Sequence, residues 1–237
     1  MSKSKLLKPP VVAKAASLQS QYDNTRTINE PDRRQRKVNQ TLSRVTEIAW
    51  AMFESIGYEN VTMESISAQA DIAKATLYKY FPTKESILDQ HFKAEMRERR
   101  DDIQNTLLQL QGLRARLTYL FEVEAEYLQD KYVYLAPLLK HRTQNIDLQQ
   151  NPSASSGMLT IMTILFKAAQ AASEIPKKHR PETLAHYLNS MRTSDLFYWQ
   201  ANPEASLLAR HQEMLNLFLL GVLGDQDNAT PNDKESK

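Results

Sequence analysis

The sequence predicts an all-α protein, and three observations predict it. Only five of the 237 residues are glycine, while Ala, Leu, Gln, Glu, Lys and Met dominate; these are the residues that lose least on entering a helix. Apolar residues recur at three- and four-residue spacing in one segment after another, the period of a buried helix face. Prolines fall at the edges of those segments, where a helix tolerates them or stops.

Composition narrows the function classes. With 41% apolar and 24% charged residues the chain resembles a folded globular protein. It has no cysteine, so a disulfide, a thiolate nucleophile and a thiolate metal site are all excluded. That composition fits a reducing cytoplasm. No apolar run reaches the length of a membrane span, and no apolar segment follows the charged N-terminus as a secretory signal requires. Net charge is only +2, but residues 1–100 hold 17 Lys and Arg against 12 Asp and Glu, and the remainder 13 against 16. Two readings of that asymmetry stand: a head that binds a polyanion, or scattered surface charge.

Residues 1–37 lack helical periodicity and end in Arg33, Arg34, Arg36 and Lys37. They read as a disordered basic arm, lying along DNA or simply solvated. The first strong helix starts near Val38 and buries Leu42, Val45, Ile48, Ala49, Met52, Phe53 and Ile56. Gly57 ends it. Thr62 reads as the cap of a short second helix with Met63, Ile66 and Ala70 inside and Glu64 in its first turn. Asp71 makes a turn. A third helix runs from about Ala73 to Tyr80, with Leu77 and Phe81 inside; Pro82 stops it and Thr83 caps a fourth helix entering at Lys84. Two helices, a tight turn and a third helix within about 45 residues have the form of a helix-turn-helix unit.

The third helix separates a DNA reader from a generic bundle. Once Leu77 and Phe81 face inward, Lys74, Ala75, Thr76, Tyr78, Lys79 and Tyr80 are left outside or at the margin. Small residues, hydroxyls, lysines and aromatic surface without an acid suit a major groove. Thr62 and Lys84 stand at helix starts, where amide groups and dipole favour phosphate. The expected DNA-binding set is therefore Thr62, Lys74, Ala75, Thr76, Tyr78, Lys79, Tyr80 and Lys84.

Three stretches resemble the tetracycline-repressor (TetR) family: Ile48 to Phe53 with Gly57-Tyr58, Val61 to Ala70, and Ile72 to Glu85. Asp71 departs from the family's frequent glycine, and Ala73 from its frequent serine or threonine, leaving the third helix without a side-chain cap. The resemblance implies an N-terminal three-helix helix-turn-helix domain joined to a C-terminal helical domain for ligand binding and dimerisation. The expected limits are an arm at 1–37, a DNA-binding domain at 38–83, a helical domain at 84–224 and a disordered tail at 225–237.

Helices are expected in that second domain at about 84–106, 113–129, 131–146, 155–175, 181–200 and 204–222, with Pro152 and Ser153 opening the fourth of these. The last two carry apolar stripes: Leu184, Leu188, Met191, Phe197 and Tyr198, then Leu207, Leu208, His211, Met214, Leu215, Phe218, Leu219 and Val222. The resemblance implies that these pair with a second copy; alone, they could equally close the monomer core. Tyr127, Tyr134, Met162 and Phe166 are the candidate lining of a small-molecule effector pocket, which the resemblance implies, although aromatic and methionine positions at this spacing also make ordinary core. His141 and Arg142 could meet a polar ligand group, or form a solvated face.

No phosphate-binding loop, dinucleotide fingerprint, zinc-protease helix or nucleophile elbow occurs, and the five histidines have no ligand-like spacing. The reading is not an enzyme and involves no cofactor and no metal. It is a cytoplasmic, nucleoid-associated homodimer on a near-palindromic double-stranded DNA operator: a transcriptional regulator, and a repressor released by a small molecule. Two alternatives stand beside it, a TetR-like protein that marks chromosomal sites without an inducer, and an α-helical protein–protein adaptor.

Overall fold

The computed structural model describes residues 33–144 and 157–223. The expected tail at 225–237, the helix start at Pro152 and Ser153, and most of the expected basic arm lie outside them. Among the described residues there are helices and turns and no strand. In chain order the helices are α1 (Arg33–Ile56), α2 (Met63–Gln69), α3 (Lys74–Tyr80), α4 (Lys84–Glu98), α5 (Arg100–Gln109), α6 (Leu113–Gln129), α7 (Leu135–Gln144), α8 (Gly157–Ala171), α9 (Pro181–Ala201) and α10 (Leu207–Leu223). Single 3₁₀ turns occupy Tyr58–Asn60 and Tyr132–Tyr134.

The described residues fall into two compact units, one of residues 33–104 and 127–144 with Gly157, the other of 105–126 and 158–223. In the first, α1 buries Val45, Ala49 and Phe53 at four-residue spacing, as its periodicity requires. Ile56 at its end is exposed. Two other differences stand out. Helix α1 begins at Arg33, so the basic cluster lies on helix rather than in an arm. The stretch expected as one helix over 84–106 is two, separated at Arg99.

Gly57 leaves α1 at φ 84°, a left-handed conformation that glycine adopts without a Cβ penalty. Val61, Met63, Ile66 and Ala70 bury the inner face of α2, and Leu77 and Phe81 that of α3. An aromatic cluster closes the unit. Trp50 stacks on His91 with centroids 3.8 Å apart and lies 4.7 Å from Tyr134, while Phe53 meets Tyr58 at 5.0 Å. Asp89 of α4 accepts from Arg142 of α7 at 2.8 Å and pairs with Lys93 at 2.7 Å.

In the second unit Leu117, Leu120, Phe121, Met162, Leu165, Phe166, Leu188, Leu196, Leu215 and Leu219 form the core. A charged cluster is buried among them. Arg192 donates to Glu124 and to Asn189, and Arg210 donates to Asp195 at 2.8 Å. His211 has 0% exposure and both its ring nitrogens lack a partner. No helix among the described residues is long and apolar enough to cross a membrane.

Candidate nucleic-acid interface

Local chemistry sets the geometry of α2 and α3. Thr62 adopts an extended conformation and its hydroxyl accepts from the Ser65 amide at 3.1 Å; the Ser65 hydroxyl in turn accepts from the Thr62 amide at 3.0 Å. This reciprocal cap satisfies two otherwise orphaned donors. Glu64 stands in the same first turn, but the cap is closed by Ser65. An identical arrangement of Thr83 with Ser86 starts α4.

The turn from α2 to α3 is fixed from three sides. The Ser67 hydroxyl donates to the Ile72 carbonyl at 2.9 Å. Arg44 of α1 donates to the Ala70 carbonyl at 3.0 Å. Asp71 takes φ 50°, the left-handed region that favours glycine. Ala73 occupies the cap position of α3 with no side-chain hydrogen bond.

Leu77, only 1% exposed, anchors α3 and thereby orients its other face. Lys74, Ala75, Thr76 and Lys79 are all exposed, with Tyr78 at 43% and Tyr80 at 36%. Six expected contact residues therefore share one short helix, and Thr62 is exposed beside them at the start of α2. The sequence reading found no acid on this helix, but the fold brings one from α2. Glu64 accepts from the Tyr78 hydroxyl at 3.3 Å and lies 3.8 Å from the Lys74 ammonium.

Lys84 is differently placed. Its half-buried ammonium donates to the Tyr58 carbonyl at 2.6 Å and to the Val61 carbonyl at 3.0 Å, and sits 4.1 Å from the Tyr58 ring centroid. Two of its three donors are thus spent on the loop before α2, leaving one for an anion. Tyr58 itself donates to Glu85 at 3.0 Å. Burial and the Glu85 charge push the Tyr58 phenol well above its usual range, so the ring stays neutral and the hydroxyl stays a donor.

The four candidate effector contacts are all buried, Tyr127 and Tyr134 in the first unit and Met162 and Phe166 in the second. The Tyr127 hydroxyl donates to Glu95, which also accepts from Lys131 at 3.0 Å. Phe166 lies against Phe218, centroids 5.9 Å apart. Arg142 is engaged by Asp89, and His141 lines a mixed groove of about 340 Å³ with Pro82, Thr83, Lys140 and Gln144.

Sequence reasoning missed the buried charge in the second unit. The signal was present: Arg192 and Asp195 interrupt the apolar face of α9 between Leu188 and Leu196. Among the described residues no group of His, Cys, Asp and Glu is arranged to hold a metal ion.

Residues 45–90 match the family model described as bacterial regulatory proteins, tetR family. The HTH-type transcriptional repressor KstR of Rhodococcus jostii strain RHA1 is 34% identical over 62 residues, 26% of this chain and 29% of that protein. The match thus spans less than a third of that relative's length. Among solved structures, Thermus thermophilus FadR in complex with lauroyl-CoA aligns over 81% of this chain and 100% of its own, with 20% identity and a TM-score of 0.68. SmeT, the repressor of a Stenotrophomonas maltophilia efflux pump, aligns over 82% and 96%, with 17% identity and a TM-score of 0.54. Bacillus subtilis FadR in complex with stearoyl-CoA aligns over 78% and 99%, with 18% identity and a TM-score of 0.52. At these identities the structures establish a shared all-α fold.

Proposed function

Through residues 45–90 this chain belongs to the tetR family of bacterial regulatory proteins, and from that premise we propose that it is a homodimeric repressor that reads a near-palindromic operator with α3. The observation that carries the reading is the exposed outer face of that helix, with Thr62 beside it. Lys74 and Lys79 supply charge, Ala75 and Thr76 allow close approach, and Tyr78 and Tyr80 offer hydroxyls and apolar surface for base edges. Thr62 takes a phosphate at the start of α2. Lys84 brings its remaining donor to a phosphate and, through Tyr58 and Val61, also holds the loop that aims α2.

A second copy is supported by exposed apolar side chains on the last two helices. Tyr187 and Tyr198 stand eleven residues apart on one face of α9, and Leu217 and Leu220 are exposed on α10. Two heads in one dimer meet two major grooves about 34 Å apart, which demands two-fold symmetry in the site. Release by a small molecule requires that the molecule bind the low-affinity state better. Because two neighbours of this fold hold lauroyl-CoA and stearoyl-CoA, acyl-CoA thioesters are the first class to test, with Tyr127 and Tyr134 in the first unit, and separately Met162 and Phe166 in the second, as candidate contacts.

The test is selection of genomic fragments by the full chain, followed by anisotropy titrations on the strongest fragment. Lys79→Ala weakens binding to every duplex and flattens the salt slope by about one unit. Tyr80→Ala changes which fragments are preferred. Unaltered affinity and preference in both variants rejects α3 as the reading helix. Light scattering at micromolar concentration reads the dimer, and a thermal-shift screen with acyl-CoA thioesters reads the effector.

A further inference from the structure

The exposed face of α3 carries no acid of its own, yet the fold sets a carboxylate against it from α2. Glu64 stands in the first turn of α2 with its side chain 53% exposed. Its Oε1 accepts from the Tyr78 hydroxyl at 3.3 Å and lies 3.8 Å from the Lys74 ammonium. The helix dipole accounts for an acid in a first turn, but not for its contacts with two side chains of the next helix. Those contacts contribute little to the fold: an exposed ion pair is screened, and the hydrogen bond is longer than the ordinary O–H···O range. Near DNA the carboxylate is repelled by phosphates over about a Debye length, ~8 Å at physiological salt. A group that is unhelpful to both the fold and the phosphates has a use where a base edge offers a donor.

The hydrogen-bonding pattern of the three side chains is directional. Tyr78 gives its one proton to Glu64, so its oxygen keeps only acceptor capacity for a third group. The ionised Glu64 is acceptor-only, with capacity beyond its Oε1 contacts, and Lys74 is donor-only. The Lys74 side chain is 62% exposed. A donor therefore stands next to a pair of acceptors at one margin of the reading helix. In the major groove a G·C pair shows two acceptors, guanine N7 and O6, and then one donor, the cytosine N4 amino group. O6 and N4 are hydrogen-bonded to each other, so they lie about 2.9 Å apart, a spacing that a donor and an acceptor 3.8 Å apart can meet. In an A·T pair the amino group is flanked by acceptors on both sides, N7 and O4, and these repel an acceptor pair.

We infer that Lys74, Glu64 and Tyr78 together read one G·C pair in each half-site, Lys74 on the guanine and Glu64 with Tyr78 on the cytosine amino group. Glu64 is thus a specificity-determining residue contributed from outside the reading helix. The inference rests on the proposed DNA reading and deepens it.

The experiment selects duplexes from a randomised library with the full chain and with Glu64→Ala, Glu64→Gln, Tyr78→Phe, Glu64→Ala combined with Tyr78→Phe, and Tyr80→Ala. Glu64→Ala should bind a random duplex more tightly, because an anion leaves a face that meets phosphates, and should lose ~10-fold of discrimination at one symmetric G·C pair. Glu64→Gln brings an amide, which pairs best with adenine, and should move the same position toward A·T. Tyr78→Phe should relax that position too, and the combined variant should lose no more than the worse single one, as coupled partners do. A Glu64 that only supports α2 would change affinity for all duplexes alike; that result overturns the inference, as does a selected site without a symmetric G·C pair. Preference altered in Tyr80→Ala but in no Glu64 variant overturns it and leaves α3 as the reading helix. If the unaltered chain selects no sequence, the DNA reading itself fails.

Discussion

At the scale of single residues, much of the reading head was legible because caps and glycine stops depend on near neighbours. Thr62, Gly57 and Thr83 are where short-range chemistry puts them. The role of Lys84 was not legible, since its carbonyl partners are 23 and 26 residues away and exist only once the 3₁₀ turn at Tyr58 has formed. Glu64 beside Tyr78 is a similar case, made by the crossing of two helices. Ala73 is both legible and improvable. Its backbone is already extended, at φ −62° and ψ 138°, so a serine fits without rearrangement. Ala73→Ser should add about 0.5–1 kcal/mol by capping an orphaned amide of α3. A urea midpoint raised at constant slope is the expected result, and an unmoved midpoint refutes the cap.

At the scale of elements, periodicity located the helices but not their joints. The stretch from Lys84 read as one helix because nothing in it is glycine or proline, yet it stops at Glu98 and restarts at Arg100. Arg99 stays in right-handed helical conformation there, so the break is smaller than a pattern of apolar positions can register. Helix α1 extended beyond its apolar stripe for the converse reason: residues 36–40 bury no side chain fully, and the sequence before Val38 carries no periodic apolar signal. The link between α4 and α7 was invisible in sequence because its partners are 53 residues apart. Burial raises the Asp89 carboxyl, but Arg142 and Lys93 outweigh it and hold the group below the usual range. Arg142→Met leaves Asp89 with Lys93 alone and should cost about 1 kcal/mol at pH 7, a modest figure because Arg142 is partly solvated. A depressed carboxyl stabilises above its ordinary value near pH 4 and loses that contribution as it protonates below. The difference between variant and parent urea midpoints should therefore shrink from pH 7 to pH 3; a constant difference would show that α4 and α7 are joined by packing alone.

At the scale of the whole molecule, charge enclosed in each unit sets how stability responds to acid. His91 stacks on Trp50 near Glu95, Lys131, Glu54 and Glu98, and His211 is enclosed among Glu124, Arg192, Asp195 and Arg210. Burial is the main cause that holds both imidazoles below the ordinary histidine range. The unfolded chain has no such constraint and takes up these protons first, at about pH 6.5. Stability from the two groups is therefore complete above that value and is lost as pH falls through it toward the lowered folded values. Asp89 and Glu95, held below the usual carboxylate range by their cationic and hydroxyl partners despite burial, add a second loss below about pH 4. Thermal melts of the full chain should show a lower midpoint at pH 5.5 than at pH 7.5, and a further drop below pH 4. His211→Leu isolates one contributor. Both ring nitrogens of His211 lack partners, so removing them forfeits no hydrogen bond, and an apolar replacement of a buried polar group is close to neutral or stabilising. The variant should match or exceed the parent at pH 7.5 and lose less between pH 7.5 and 5.5. A variant that falls as steeply as the parent over that interval would place the whole acid response in His91 and its neighbours.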